Sequence, residues 1–475
     1  MKPNALRHIA VIGSGVVAWA AAAAFSVRVP GVRVTVIEDV DAPPSMADLN
    51  AVATPSITDF HHDLRIEERH LMQHVDSVFR LGAKFDGWNS GMPPYLHCHG
   101  EHGEAIASAA FHHHWRRIGS AAGAFSAYSV ACALAESNRF SHPVQDSERL
   151  MARFGYGLHL DPAAYADYLR GYALHLGAIP LAGAIAPVVD GANGRVIGLT
   201  LADGATIAAD LYVDTIGDLA GRLDDRRLLW SRWLPTSHVT VAGGSAAAKP
   251  PLFETVQTIA TGWKMRAPLR GRQVETIVTA GTHAAGTEHA FTQGRRKAAW
   301  TGNVVAIGDA AVILEPLEGI GLHVAYAHID RVIASLPDRD FHAVEIADYN
   351  RQTADEADRL RDFVILHYLA SDRPEEMWRD LANTAPPETL AHDLGLFRDR
   401  GHLPVHDGES FAVDSWLAVL FGQGVLPRRP DPVAEEAPFD ATAAMLQDFR
   451  SGLARAVAPL QTHGDYLKHF LKGDV

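Results

Sequence analysis

The feature that most constrains this chain lies between His8 and Glu38. His8 to Ile12 reads as a strand, Gly13-Ser14-Gly15-Val16-Val17-Ala18 as a turn entering a helix, and Val32 to Ile37 as a second strand ending at Glu38. This is the dinucleotide fingerprint with its permitted alanine in the third position. Gly13 permits the tight turn, Gly15 lets the backbone approach a pyrophosphate, and Ala18 lets the helix sit close to the strand. Glu38, 23 residues after Gly15, is placed to accept from a ribose hydroxyl. Such a βαβ unit requires a parallel sheet covered by helices, so an α/β, Rossmann-like module is expected.

Two later stretches repeat the strand-to-turn pattern. Val304 to Ile307 is an apolar, β-branched run that reaches Gly308-Asp309, where a helix is expected to begin. The Asp309 carboxylate is suited to accept from a ribityl or ribose hydroxyl, and the amides of Gly319 and Gly321 to face an anion or a flavin edge. Asp210 to Gly217 reads as another buried strand, ending at Asp214. Three such junctions spread over about three hundred residues suit a cofactor module assembled from discontinuous segments.

Composition narrows the partner. At 475 residues and 47% hydrophobic, the chain can build two or three structural regions around a sizeable core. A formal charge of −14 without a basic tract argues against nucleic acid and for a small molecule. Ala18 to Phe25 is too short to span a membrane, and no apolar stretch reaches about 18 residues. Two cysteines, Cys98 and Cys132, cannot frame a disulfide scaffold and suit a reducing compartment, the cytoplasm. The histidine-rich stretch with His97, His99, His102 and His112 to His114 lacks metal-ligand spacing, so no metal is expected.

The remainder is mixed. Asp39 to about Gly91 is irregular and then helical; Ser77 to Trp88 carries Arg80 and Lys84, which share a face if helical and diverge if the segment enters a strand. Helical patterning covers Ala121 to Glu136 and Pro162 to Leu176. Gly191-Ala192-Asn193-Gly194 and Ala202-Asp203-Gly204 mark hairpin bends. His238 to Ala242 and Glu275 to Ala280 are strand-like, Val344 to Leu369 reads as one long helix, and several shorter helices follow from Trp378.

Separated motifs in one order then make the chain resemble the flavin-dependent tryptophan halogenases: GSGVVAW at 13–19, FRLGAKFDGW at 79–88, DLYVDTIG at 210–217, GWKMRAPL at 262–269, GDAAVILEPLEGIGLH at 308–323, RLRDFVILHY at 359–368 and SWLAVLFGQG at 415–424. The resemblance implies a Rossmann-like FAD-binding module (1–45, 146–225 and 299–340), a mixed β-sheet substrate module (46–145 and 226–298) and a helical C-terminal region (341–475). It also implies reduced FAD from a separate NAD(P)H-dependent flavin reductase, a halide, a small aromatic, indole-type substrate, and a second copy of the chain as a candidate partner. Hypohalous acid made at the flavin would travel to a lysine beside the substrate. Gly13, Gly15, Ala18 and Glu38 would hold the ADP part of FAD; Asp309 would meet the ribityl chain, and Pro316, Gly319 and Gly321 would line the flavin ring and the halide. Trp263 belongs to the motif beside the flavin, and Glu318 matches the family glutamate near the substrate.

The departures bear on function. Arg80 stands where the family has its catalytic lysine, and Lys84 matches only the second lysine of that pattern. A guanidinium stays protonated and is a poor nucleophile. Met265 and Ala267 replace a tryptophan and an isoleucine, Gly319-Ile320 replaces Ser-Thr, and Asn50 to Pro55 replaces a stretch with a glutamate. Three readings follow: a halogenase using Arg80, Lys84 and Glu318; a flavin monooxygenase or oxidase that does not halogenate; and a silent flavin-binding protein.

Overall fold

The computed structural model describes residues 4–39, 41–146, 149–183, 185–190, 194–201, 203–282 and 287–473. Gly191, Ala192, Asn193 and Ala202 of the two expected bends lie outside them; the flanking strands Ile185–Asp190 and Arg195–Leu201 pair antiparallel.

The strands used below are β1 (His8–Ile12), β2 (Arg33–Glu38), β3 (Ser77–Arg80), β4 (Gly82–Asp86), β5 (Tyr95–Cys98), β6 (Ile179–Ala182), β7 (Leu211–Asp214), β8 (Phe253–Ile259), β9 (Gly262–Pro268), β10 (Arg272–Thr279), β11 (Trp300–Thr301) and β12 (Val304–Ala306). The helices are α1 (Val16–Arg28), α2 (Val130–Ser137), α3 (Pro162–His175), α4 (Ile320–Ala334), α5 (Ala343–Leu369) and α6 (Val413–Gly422). Two compact units share the chain: Met1–Ser77, Leu160–Val241 and Ala284–Asp358 form the first, and Val78–His159, Ala242–His283 and Arg359–Val475 the second.

The first unit is built on a six-stranded sheet in the order β11-β12-β7-β1-β2-β6. Its pairings are parallel except β11 with β12, the arrangement the βαβ reading requires. Ile12 is in register with both Ile37 and Asp214, and Asp214 with Ala306, so three chain segments turn at the same sheet edge. Helix α1 is buried from Val16 to Phe25, with alanine at 18 and from 20 to 24; small side chains let it lie close to α3 and α4.

One expected boundary moves. No helix begins at Gly308-Asp309: a single 3₁₀ turn, Gly308–Ala310, is followed by a short strand, Val312–Ile313, and a second 3₁₀ turn, Leu317–Gly319, before α4 starts at Ile320. The backbone has to reverse first, through left-handed Gly308 (φ 58), Glu318 (φ 59) and Gly319 (φ 75).

The sheet of the second unit includes the run β10-β9-β8-β4-β5, antiparallel except for the parallel pair β8 and β4. Ser77 to Trp88 is two strands rather than a helix, so Arg80 and Lys84 diverge. The break falls at Leu81, and β4 opens on Gly82, where a Cβ would lie 2.1 Å from the His97 carbonyl oxygen. Along β9, Trp263, Met265 and Ala267 are fully buried while Lys264 and Arg266 are not, so the three motif positions share the inner face. The long helix forms as α5, Ala343–Leu369.

Gly262 gives a direct test of this packing, because a Cβ there would sit 1.9 Å from the Val278 carbonyl oxygen at φ +156. Gly262→Ala is expected to cost about 1–3 kcal/mol, read as a drop in denaturation midpoint. Gly464→Ala, in open space within a helix, is expected to be neutral or slightly stabilising.

Candidate functional site

Gly13 donates its amide to the Ile37 carbonyl at 3.0 Å. With φ 137 and a Cβ position 2.0 Å from Thr215 Oγ1, the site admits only glycine; that hydroxyl in turn donates to the Ile12 carbonyl at 2.7 Å. Ala18 is fully buried under the turn, and Gly15 is the N-cap of α1. Glycine carries no side chain to cap the helix, so its first amides need another acceptor. Asp48 supplies it: Val16 N–H donates to Asp48 Oδ1 at 2.7 Å. Ser45 locks that carboxylate by donating from its amide at 2.9 Å and its hydroxyl at 2.7 Å to Oδ2, while the Asp48 amide donates back to Ser45 Oγ at 3.3 Å. A Cβ on Gly15 would come within 2.4 Å of the carboxylate. The chain's own anion therefore sits on the amides that the fingerprint offers to a pyrophosphate. A cavity of about 150 Å³ remains there, lined by Ser14, Gly15, Pro43, Ser45, Asp48 and Thr215.

The same segment continues across the other positions. Asp309 Oδ2 accepts the Met46 amide at 2.7 Å. Burial pushes the Asp309 carboxyl up to about 7, and the nearby Asp48 charge adds to this against the Met46 hydrogen bond. Asn50 Nδ2 donates to the Pro316 carbonyl at 2.9 Å. A Cβ on Gly319 would meet the Val52 carbonyl oxygen at 3.1 Å, and one on Gly321 the Ala47 nitrogen at 3.2 Å. Glu318 is buried in a left-handed conformation that costs a non-glycine residue about 1–3 kcal/mol and is sustained only by its surroundings. Glu38 takes a two-pronged contact from Arg170, Nη2 at 3.1 Å and Nε at 3.4 Å, and the same guanidinium lies 5.2 Å over the Trp19 ring.

The first unit thus brings Gly13, Gly15, Ala18, Glu38, Asp309, Pro316, Glu318, Gly319 and Gly321 around one sheet edge. These groups fit FAD in kind: a helix N-terminus for phosphates, carboxylates for hydroxyls and glycine amides for a ring edge. The residues from Ser45 to Val52 lie over them, with Asp48 on the Val16 amide.

Arg80, Lys84 and Trp263 belong to the second unit. Arg80 is fully buried; Nε and Nη2 donate to the two Glu254 oxygens at 2.9 and 2.7 Å, and Nη1 meets His99 Nε2. Glu254 is equally buried and also accepts from His159 Nε2 at 2.9 Å. Burial works against the Glu254 charge, but Arg80 and His159 outweigh it and hold the carboxyl below its ordinary range. Lys84 is half-buried, its Nζ 5.8 Å over the Phe253 ring. Trp263 is buried and donates from Nε1 to Tyr368 Oη at 3.1 Å. The histidines between His97 and His114 take separate partners, including Gly401 O for His112 and Ile106 O for His114. Asp338, Asp340 and His342 are the one metal-sized cluster among the described residues, and all three lie outside the core.

Asp48, Glu254 and His159 were not among the residues singled out from sequence. Ser45-x-x-Asp48 is a capping-box spacing and carried a signal for the first. Glu254 sits alone among alternating strand residues, and nothing local marks it as the partner of Arg80.

Comparison with known proteins fixes the family. A family profile described as tryptophan halogenase matches residues 8–439, most of the chain. The chain belongs to the tryptophan halogenase family. Tryptophan 7-halogenase RebH of Lentzea aerocolonigenes is 23% identical over 500 residues, 91% of this chain and 92% of that protein. Two solved structures are more alike: BrvH, a flavin-dependent halogenase from Brevundimonas sp. BAL3 (30% identity, TM-score 0.90, covering 98% of this chain and 99% of that one), and Xcc4156, a flavin-dependent halogenase from Xanthomonas campestris (30%, 0.91, 98% and 98%). This halogenase-family chain is thus an enzyme of the flavin-dependent oxidoreductases, with the mixed α/β fold of its relatives. No helix among the described residues is long and apolar enough to cross a membrane.

The raised Asp309 carboxyl has a measurable consequence. The folded chain retains a proton that the unfolded chain releases near pH 4, so this group's contribution is full below about pH 4 and is lost as pH rises through about 7. Asp309→Asn is expected to match the native melting temperature near pH 4 and to exceed it increasingly up to pH 7, a widening that calorimetry would follow.

Proposed function

We propose that this chain is a FAD-dependent halogenase that acts on an aromatic, indole-type substrate with reduced FAD, oxygen and halide, in the cytoplasm, its flavin reduced by a separate NAD(P)H-dependent reductase. The observation that carries this reading is the single sheet edge at which Gly13, Asp214 and Gly308 turn, with Asp309 and Glu318 just beyond it. Reduced FAD held there would supply the two electrons that activate oxygen for halide oxidation.

The chain's own groups have distinct tasks. Val16 and its neighbours in α1 offer amides to the pyrophosphate once Asp48 withdraws. Gly319 and Ile320 present backbone amides to a halide at the start of α4, without the hydroxyls usual in the family. Glu318, fixed by its surroundings, is the carboxylate that would take the arene proton after halogen transfer. Arg80 keeps its proton, so it orients hypohalous acid by hydrogen bonding and forms no haloamine.

The bidentate hold of Glu254 on Arg80 favours a second reading, because it already engages Nε and Nη2 of the guanidinium in a fully buried ion pair. In that reading the flavin inserts oxygen or releases peroxide without halogenation.

Incubation with a flavin reductase, FAD, NADH, bromide and a panel of indoles separates the two by mass spectrometry. The first expects brominated product that rises with Arg80→Lys. Oxygenated product independent of halide establishes the second. Arg80→Met, which leaves a fully buried Glu254 without its guanidinium partner, is expected to cost about 3–5 kcal/mol of stability.

A further inference from the structure

Arg7, Arg33 and Arg339 converge on a cavity of about 410 Å³ that the flavin reading leaves unused. His8 and residues 208–210 complete its lining, and all of it belongs to the first unit. His8 opens β1 in register with Arg33, which opens β2, and the Asp210 amide donates to the His8 carbonyl at 2.9 Å just ahead of β7. The flavin turns leave the opposite ends of these strands, at Ile12, Ile37 and Asp214. From His8 to Ile12 is four steps of strand, about 13 Å, so the cavity is distinct from the cofactor seat.

The positive groups outnumber their partners. Asp210 is the one carboxylate on the lining, and the protein already uses it: Oδ2 accepts the amides of Arg7 at 2.7 Å and His8 at 2.9 Å, and Arg339 Nη2 lies 3.0 Å from Oδ1 and 3.1 Å from Oδ2. That pair satisfies Arg339 only in part, because its Nε is buried with no hydrogen-bond partner. Neither Arg7 nor Arg33 is paired with a carboxylate among the described residues, and both are exposed. Arg33 Nη2 lies 2.8 Å from His8 Nδ1, yet that nitrogen is also 2.7 Å from the Ala208 carbonyl oxygen. A ring nitrogen either donates or accepts, so with the carbonyl as its acceptor it leaves Arg33 wanting one. Asp338 and Asp340 flank Arg339 in sequence but do not line the cavity; Asp340 takes Asn4 Nδ2 at 2.7 Å and Asp338 the Asp340 amide at 2.9 Å.

We propose that this cavity binds a phosphate group, free or as the monoester of a small metabolite, between Arg7, Arg33 and Arg339. Three guanidiniums against one carboxylate leave two positive charges facing the cavity. Burial and the Arg33 charge lower the His8 imidazole against the Ala208 carbonyl and Asp210, so it adds none at neutral pH. A doubly charged oxyanion matches that excess, and its tetrahedral oxygens suit forks of N–H donors arriving from different segments. The bound group ties the starts of β1 and β2 to the segment before β7 and to the one after α4, pieces far apart in the sequence. Binding therefore stabilises the folded chain as its occupancy rises.

The test uses the full chain loaded with FAD, so that the amides at the start of α1 are already taken, and follows labelled inorganic phosphate by equilibrium dialysis at pH 7 and constant ionic strength. Saturable binding of one phosphate per chain is expected, weakened roughly tenfold or more in the Arg7→Gln, Arg33→Gln double variant. Both side chains are exposed, so the variant is expected to keep the native melting temperature in chloride. Phosphate also stabilises proteins by exclusion from their surface, an effect that native and variant chains share. The expected signature is thus a larger rise of melting temperature with phosphate in the native chain than in the variant. Glycerol 3-phosphate run in parallel assigns the source: tighter binding than inorganic phosphate marks a monoester, and equal or weaker binding marks the free ion. The proposal is overturned if the native chain shows no saturable binding, or if native and variant chains bind phosphate alike, which is an adventitious ion only.

Discussion

The first amides of α1 need an acceptor, and the first unit is arranged around that need. A glycine N-cap cannot satisfy them, because the same position must stay bare for a phosphate to approach. Asp48 resolves the conflict by bringing a carboxylate from a neighbouring segment, and everything that segment touches follows: Met46 on Asp309, Asn50 on Pro316, Val52 against Gly319. One ionic hydrogen bond thus ties together the fingerprint at residues 13–18 and the turns at 308–321. A charge-assisted bond of this kind contributes about 1.5–3 kcal/mol, enough to matter for cofactor affinity and small enough for a dinucleotide to displace.

In the second unit the organising contact is also a carboxylate with a buried cation. Arg80 and Glu254 satisfy each other almost completely, with His99 and His159 completing the set. An ammonium in place of the guanidinium would leave part of Glu254 unpaired, so the exchange of lysine for arginine and the presence of Glu254 belong together. The network gives Arg80 a role in packing and charge balance.

Much of this was legible in the chain. The βαβ unit, the strand at 304–306 and the adjacency of three distant turns followed from apolar periodicity and from glycines at turns, which local sterics dictate. The helix expected at Gly308-Asp309 failed because an apolar run followed by a Gly-Asp pair does not reveal that Glu318 and Gly319 must reverse the chain first. Asp48 and Glu254 were harder to read, since each acts across a sequence separation of 32 and 174 residues from its partner, and no periodicity encodes such a contact. The cysteines suggested a reducing compartment, and both lie buried in the second unit.

The most direct measurement is FAD affinity, by fluorescence titration, for the native chain and for Asp48→Ala. If Asp48 holds the pyrophosphate seat, the variant binds FAD about 10–100-fold more tightly, the equivalent of the displaced ionic hydrogen bond, while its cofactor-free form melts lower for want of a helix cap. Equal or weaker FAD binding by the variant would contradict the assignment of that seat.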